Sequence, residues 1–331
     1  YGHGAERCAS ALADAGADWF GVALVEEGRA LRRAGIVQPI LCMGGTGPFG
    51  ASEAIVHNLS PMISHLDEAR AIDKAAAQMS TIAKVHLKID TGMGRLGVPL
   101  HHWAHFLDRL CDLQNLHVEG IASHFSYSES QAGSVQTREQ LRRFKEAVSI
   151  ARGRGFDPPL VHVANSGAIL QHPESALSMV RPGLLLYGYD PQQANPRAEV
   201  APVMSVTTQV LVVRDLPAGV GLSYGGTFVT QRPTRVATLP VGYADGYPRA
   251  LSNRGQVLIH GARAPILGRV CMDMCIADVT DIPALVKPGD EVVLLGRQGS
   301  EKIDAWEMAN HAGTIPYEIL TGFSTRIPRM S

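Results

Sequence analysis

No apolar run in this 331-residue chain approaches the roughly 18 residues of a bilayer-spanning helix, which excludes a helical membrane span. An excess of one charge is equally missing. Thirty Lys and Arg stand against 31 Asp and Glu, a formal net charge of -1, and the charges are dispersed, so neither nucleic acid nor an anionic membrane is a favoured partner. Cysteine is sparse and odd in number (Cys8, Cys42, Cys111, Cys271, Cys275) and forms no CxxC pair, which argues against a disulfide framework and for a reducing, cytoplasmic setting. Cys271 and Cys275 bracket Met-Asp-Met, yet no second ligand pair has matching spacing, so no metal is expected and the thiols read as structural or site-lining. No low-complexity tract or solenoid period is present. The chain opens at Tyr1 inside what reads as a functional loop, so a preceding segment is expected. Small-molecule chemistry remains, in a chain long enough for two domains.

What is present is alternation. Amphipathic helical patterns cover 5–15, 26–34, 52–58, 67–78, 101–113, 136–152 and 167–172, and short apolar runs cover 18–24, 39–43, 61–64, 83–90, 118–123, 160–164 and 179–186. Seven strands after an opening helix, with an eighth expected ahead of Tyr1, predict a (β/α)8 barrel whose functional groups gather on the loops after the strands. The alternation stops near Asn195-Pro196, and valine-rich segments broken by Gly and Pro follow at 203–213, 235–241, 256–259, 275–279 and 291–295, with one helix at 304–311. We therefore expect a barrel domain over 1–200 and a mainly β domain over 201–331.

The densest signal is Lys88-Ile-Asp-Thr-Gly-Met-Gly-Arg95-Leu-Gly97, an apolar run ending in a glycine-rich loop with a lysine, an aspartate and an arginine. Taken alone, it also fits a tight surface turn. Similar strand-to-polar-loop junctions recur at Tyr1-Gly-His-Gly4, Ser123-His124-Phe125, Ala164-Asn165-Ser166-Gly167 and Arg181-Pro-Gly183, and in register they describe a site. Asn165-Ser166-Gly167 opens a helix, where free amides favour a phosphate, although a plain N-cap at Ser166 accounts for it equally well. Lys88 and Asp90 alternate along one strand and share a face, where opposite charges must be paired or used. In the second domain Leu222-Ser-Tyr224-Gly-Gly226, Val241-Gly-Tyr243-Ala-Asp245-Gly-Tyr247, Cys271-Met-Asp273 and Pro316-Tyr317-Glu318 place tyrosines and polar groups at strand ends. Composition alone assigns none of them to catalysis.

In order and along the whole chain, these motifs, with Tyr187-Gly188, resemble the alanine racemase family. Those are pyridoxal 5'-phosphate enzymes with a barrel domain followed by a β domain. The resemblance implies a homodimer with shared active sites, interconverting L- and D-alanine and supplying D-alanine for peptidoglycan. It places the cofactor lysine four residues before Tyr1, upstream of this sequence. It implies phosphate binding by Tyr1, Ser166, Tyr317 and the amides of Gly183 and Leu184, with Asn165 beside them, and Arg181 facing the pyridine nitrogen. Arg95 and the Met272 amide would bind the substrate carboxylate, and Lys88 would be carbamylated and orient Arg95. Tyr224, from the partner subunit, would be the second base, hydrogen-bonded by His124 and assisted by a cationic network of His124 and Arg181, because a phenol is protonated at neutral pH without such neighbours. Tyr243, Asp273, Arg249 and Arg269 would line a narrow entrance. Other readings are a broad-specificity racemase, which takes few substitutions at an entrance, a basic amino-acid decarboxylase, whose Cys-Asp pair is here Cys271-Met-Asp273, and a non-catalytic pyridoxal-phosphate carrier, against which the β domain and Tyr224 argue.

Overall fold

The structure, a computed structural model, describes residues 1–47, 50–129, 133–191 and 199–330. Two compact units emerge: Ala5–Leu186 with Asp190–Glu199, and Val200–Ser331 with Tyr1–Gly4 and Tyr187–Tyr189. The end of the alternation expected at Asn195-Pro196 lies outside the described residues.

In the first unit helices α1 (Ala5–Asp14), α2 (Val25–Arg33), α3 (Ala51–Val56), α4 (Leu66–Gln78), α5 (Leu100–Leu110), α6 (Ser134–Arg152) and α7 (Ser166–Gln171) alternate with strands β1 (Phe20–Val22), β2 (Ile40–Cys42), β3 (Ser60–Ile63), β4 (Ala83–Asp90), β6 (Leu116–Ala122) and β7 (Leu160–His162). All of these strands pair in parallel in the order β1-β2-β3-β4-β6-β7, and the short β5 (Val98–Pro99) returns to pair with β4. This is the parallel βα barrel architecture expected from the alternation.

Strand alternation in β4 explains how the barrel is filled. Val85, Leu87 and Ile89 join Ile72, Trp103, Phe106 and Phe144 of the surrounding helices in one core, and burying a side chain of this kind contributes roughly 1.5–3 kcal/mol. His86 and Lys88 therefore take the inner face. His86 meets Trp19 there edge-on at 5.3 Å. Its ring lies over Gly120 of β6, where a Cβ would come within 2.2 Å of His86 Nδ1. Only glycine at 120 leaves room for that imidazole.

Residues 179–186 form no strand. Ser178 N–H and Arg181 N–H donate to Val161 O and Ala164 O along β7, but Pro182 has no N–H to continue a ladder, and the chain turns into the 3₁₀ segment Leu184–Tyr187. The hydrogen bonds that would have made a strand are limited to two, and they suffice to seat Arg181.

The second unit is mainly β, as expected. Its strands are β8 (Val206–Gln209), β9 (Val212–Leu216), β10 (Gly221–Leu222), β11 (Phe228–Val229), β12 (Thr234–Leu239), β13 (Gln256–Ile259), β14 (Ala262–Pro265), β15 (Cys275–Asp278), β16 (Glu291–Gln298) and β17 (Glu301–Ile303). They form antiparallel sheets in the orders β15-β12-β9, β14-β13-β16-β17 with β8 against β16, and β10-β11. The run 203–213, read as one strand, is two, because Val210 N–H bonds to Asp290 O and Leu211 N–H to Thr238 O, so adjacent residues serve different sheets. Helix α8 (Ala305–Ala312) is capped by Asp304, whose side chain accepts from Glu307 N–H, and closes on Gly313 at φ 73°. A second helix, α9 (Pro316–Gly322), follows where none was expected. Arg329 ties the start of the chain to this unit by donating to Gly2 O, Phe323 O, Ser324 O and Ile327 O.

Candidate active site

At the carboxyl ends of the barrel strands lies a cavity of about 430 Å³, lined by residues that include Met43, Met62, Lys88, Asp90, Arg95, His124 and Arg181. Lys88, Arg95 and Arg181 are basic and Asp90 is acidic. The anion does not face the cations as a partner: Asp90 Oδ1 accepts from Gly92 N–H (2.9 Å) and Met93 N–H (2.8 Å), and Oδ2 accepts from Gly94 N–H (2.9 Å). Of the two readings left open, paired or used, Asp90 takes neither Lys88 nor Arg95 as an ion-pair partner among the described residues and instead caps its own loop, and the cavity keeps a net positive lining suited to anionic groups.

Arg181 sits at the centre. Its guanidinium donates to Ser123 O at 2.8 Å, to Val163 O at 3.4 Å, to His124 Nδ1 at 3.4 Å and, through a short contact, to His162 Nδ1. Every acceptor is neutral, so no carboxylate cancels the charge. Burial lowers the group to about 10, which still leaves it a cation at neutral pH.

The histidines are fixed as acceptors. Because His162 Nδ1 accepts from Arg181, its Nε2 carries the proton and donates to His86 Nδ1 at 2.8 Å. Burial, with Arg181 next, pushes His86 down to about 3 and holds His162 well below the ordinary range, so both rings are neutral. Burial followed by Arg181, Lys88 and Arg95 takes His124 to about 3 as well. Positive charge in this network therefore resides on Arg181 and not on His124, contrary to the expectation of a cationic pair. With Nδ1 turned to Arg181, His124 keeps Nε2–H as a free donor.

Lys88 is 7% exposed and forms no salt bridge among the described residues. Burial first, then Arg181 and Arg95, hold its amine well below the ordinary lysine range, against a weaker opposing pull from Asp90. Arg95 is exposed at the tip of the glycine loop and also makes no ion pair among the described residues.

Ser166 is not an N-cap. That role belongs to Asn165, whose side chain accepts from Ala168 N–H (3.1 Å) and from Ser128 Oγ (2.7 Å). The Ser166 hydroxyl instead accepts from Gly183 N–H (2.8 Å) and Leu185 N–H (3.3 Å). Both amides are taken by the Ser166 oxygen here, and a phosphate oxygen would have to replace it as their acceptor.

The second unit brings together another group. Tyr1 and Tyr317 lie 5.8 Å apart by ring centroid, with Tyr187 5.1 Å from Tyr1. Tyr224 is 72% exposed. The residue before it, Ser223, holds φ 61°, ψ -173°, a region side chains rarely adopt. Its hydroxyl donates to Arg269 O at 2.7 Å and lies 3.3 Å from Cys271 Sγ. Tyr243 N–H and Ala244 N–H bond to the carbonyls of Cys271 and Met272, and Arg326 donates to Asp273 at 2.8 Å. Tyr224, Tyr243, Arg269, Met272 and Asp273 thus share one loop cluster. Arg249 opens a separate 3₁₀ turn, Arg249–Leu251. No cluster of three potential metal ligands occurs among the described residues, Cys271 and Cys275 included.

Reasoning from sequence missed His86, His162, Ser223 and Arg326. For His86 a signal existed, since it alternates with Lys88 and Asp90 on one strand. For Ser223 there was none, because its strain lies in backbone angles.

Two family models divide the chain between them: "Alanine racemase, N-terminal domain" over residues 1–191 and "Alanine racemase, C-terminal domain" over 203–331. An alanine racemase from Halothermothrix orenii is 43% identical over 330 residues, 99% of this chain and 86% of that protein. The crystal structure of alanine racemase from a D-cycloserine-producing Streptomyces lavendulae superposes with a TM-score of 0.94 at 37% identity, over 99% of this chain and 87% of that one. One from Bartonella henselae, with covalently bound pyridoxal phosphate, gives 0.90 at 30% identity, over 100% of this chain and 89% of that one.

Proposed function

The chain belongs to the alanine racemase family, and from that premise we propose that it interconverts L- and D-alanine with pyridoxal 5'-phosphate as cofactor, in the cytoplasm, as a homodimer whose sites are shared between protomers. The observation that carries this reading is Arg181, a partly buried cation surrounded by neutral acceptors at the head of a positively lined cavity.

Bound pyridoxal phosphate supplies an electron-accepting ring that acidifies the Cα–H of an attached amino acid. Ser166 with the Gly183 and Leu184 amides would hold its phosphate, joined by Tyr1 and Tyr317. Arg181 would face the ring nitrogen. A guanidinium held at about 10 keeps its protons and would disfavour protonation of a ring nitrogen facing it, which would weaken the ring as an electron acceptor. That favours returning the proton to Cα over other outcomes.

Racemisation needs one group on each side of Cα. Tyr224 of the partner subunit would serve one side, and its 72% exposure suits a residue that completes a neighbour's site. His124, neutral and with its proton on Nε2, would donate to the Tyr224 oxygen, with the Arg181 charge beside it. A lysine preceding Tyr1 would serve the other. Arg95 and the Met272 amide would hold the substrate carboxylate. Lys88 is a buried, low-pKa amine, a form that adds carbon dioxide readily, and the resulting carbamate would give Arg95 an anionic neighbour. Tyr243, Asp273, Arg249 and Arg269 would restrict entry to small amino acids, and the D-alanine formed would serve peptidoglycan synthesis.

The test is incubation of the holoenzyme with L-alanine in heavy water, following both the Cα proton signal and D-alanine. Loss of the proton with appearance of D-alanine is expected. Exchange without inversion would remove Tyr224 from the mechanism, and no exchange with alanine or other amino acids would leave a cofactor carrier.

A further inference from the structure

We infer that Asp90 is a positioning residue for substrate recognition, its carboxylate setting the loop that presents Arg95 to the substrate carboxylate. This rests on the reading above, in which Arg95 binds that group.

The chain leaves β4 at Asp90 and comes back at β5, where Ile89 pairs with Val98 and Asp90 with Pro99. Gly97, at φ 126°, lies directly on the strand it returned to, and a Cβ there would sit 2.6 Å from Asp90 N. Both ends of the loop are therefore fixed at Asp90. Between them Gly92 and Gly94 take φ values of 137° and 71°, which turns the amides of residues 92, 93 and 94 inward around one carboxylate. Arg95 follows immediately after the last of these amides. Its direction is a consequence of that turn.

From outside, α6 holds the same loop. Arg143 donates to Thr91 O at 3.4 Å, and a Cβ at Gly92 would meet Gln140 Cγ at 3.5 Å. The buried Gln140 carboxamide also accepts from Ser126 N–H and Oγ and donates to His124 O, which fixes the His124 loop against the same helix. Lys88, in contrast, touches Arg95 only through charge. The carboxylate that matters to the loop's shape is Asp90.

Asparagine at 90 keeps the shape of the side chain but puts a donor against at least one of the three amides. In the D90N holoenzyme we expect KM for alanine and the inhibition constant of propionate, a carboxylate with no amino group, to rise together by about fivefold or more. The same variant should change kcat less than threefold and leave the cofactor's absorption spectrum intact. A double variant D90N/R95K should bind propionate no more weakly than R95K, because the two residues act through one contact. Gly94→Ala offers an independent handle should D90N not fold. A Cβ at 94 meets nothing within 4 Å, so the substitution strains only the backbone ahead of Arg95 and should give the same paired rise. If R95K binds propionate normally, the assignment of Arg95 itself is wrong. If R95K weakens propionate but D90N and G94A do not, the role given to Asp90 is overturned.

Discussion

Arg181 and the two histidines behind it form a chain of hydrogen bonds in which every proton position follows from the arginine at its head. A guanidinium can only donate, so His162 must accept at Nδ1, and His86 must accept from His162 in turn. The arrangement works only while both rings are neutral. His86 is depressed to about 3 from an ordinary 6.5, and His162 is also lowered. As pH falls below 6.5 the unfolded chain takes up protons that the folded chain refuses, so stability is full above 6.5 and is lost on the way down toward 3. Urea unfolding should show a loss of about 2 kcal/mol from the two rings between pH 7 and 5.5, with a shallower slope in His86→Gln. An unchanged slope would mean that His86 is not held neutral. At this scale Lys88, Arg95, His124, Ser166 and Arg181 were legible because each stands in a polar junction at a strand end. His162 was not, since a single polar residue inside an apolar run reads as a satisfied core histidine, and His86 was overlooked although it alternates with Lys88 and Asp90 along its strand. Asp90 was noticed for sharing a face with Lys88, but its three loop amides were not legible, because they depend on the backbone turn at Gly92 and Gly94.

The pairing of β4 with β6 couples that histidine chain to the barrel wall. Register places His86 opposite Gly120, and a methyl group at 120 would lie 2.2 Å from His86 Nδ1, the atom that accepts from His162. The ring is fully buried and cannot retreat. Gly120→Ala should therefore cost about 1–3 kcal/mol, seen as a lower Tm, and weaken cofactor retention because Arg181 loses its aligned acceptor. A variant as stable as the parent would show that the ring has room to shift. Helices and buried strands were legible from periodicity because their hydrophobic patterns are long, as 83–90 and 256–259 illustrate. The segment 179–186 was not, because its apolar residues flank a Pro-Gly that ends pairing after two hydrogen bonds. Helix α9 was hidden by Pro316, which reads as a breaker but at the first helical turn costs nothing.

At the scale of the whole molecule the proposed site residues fall in both units. The barrel unit carries Lys88, Arg95, His124, Ser166 and Arg181, and the second unit carries Tyr1, Tyr224, Met272 and Tyr317. No helix among the described residues is long and apolar enough to cross a membrane. If Tyr224 completes the partner's barrel, a twofold dimer holds two sites, each with one chain's Arg181 and the other chain's Tyr224. Tyr224→Phe and Arg181→Ala proteins should then each be nearly inactive in forming D-alanine from L-alanine. Unfolded together and refolded as a mixture with pyridoxal phosphate, they should recover about a quarter of wild-type activity, because half the dimers are mixed and each mixed dimer has one intact site. Recovery near that level is the result this account predicts. A mixture as inactive as its components, or a Tyr224→Phe protein that still racemises alanine at the parent rate, would contradict it.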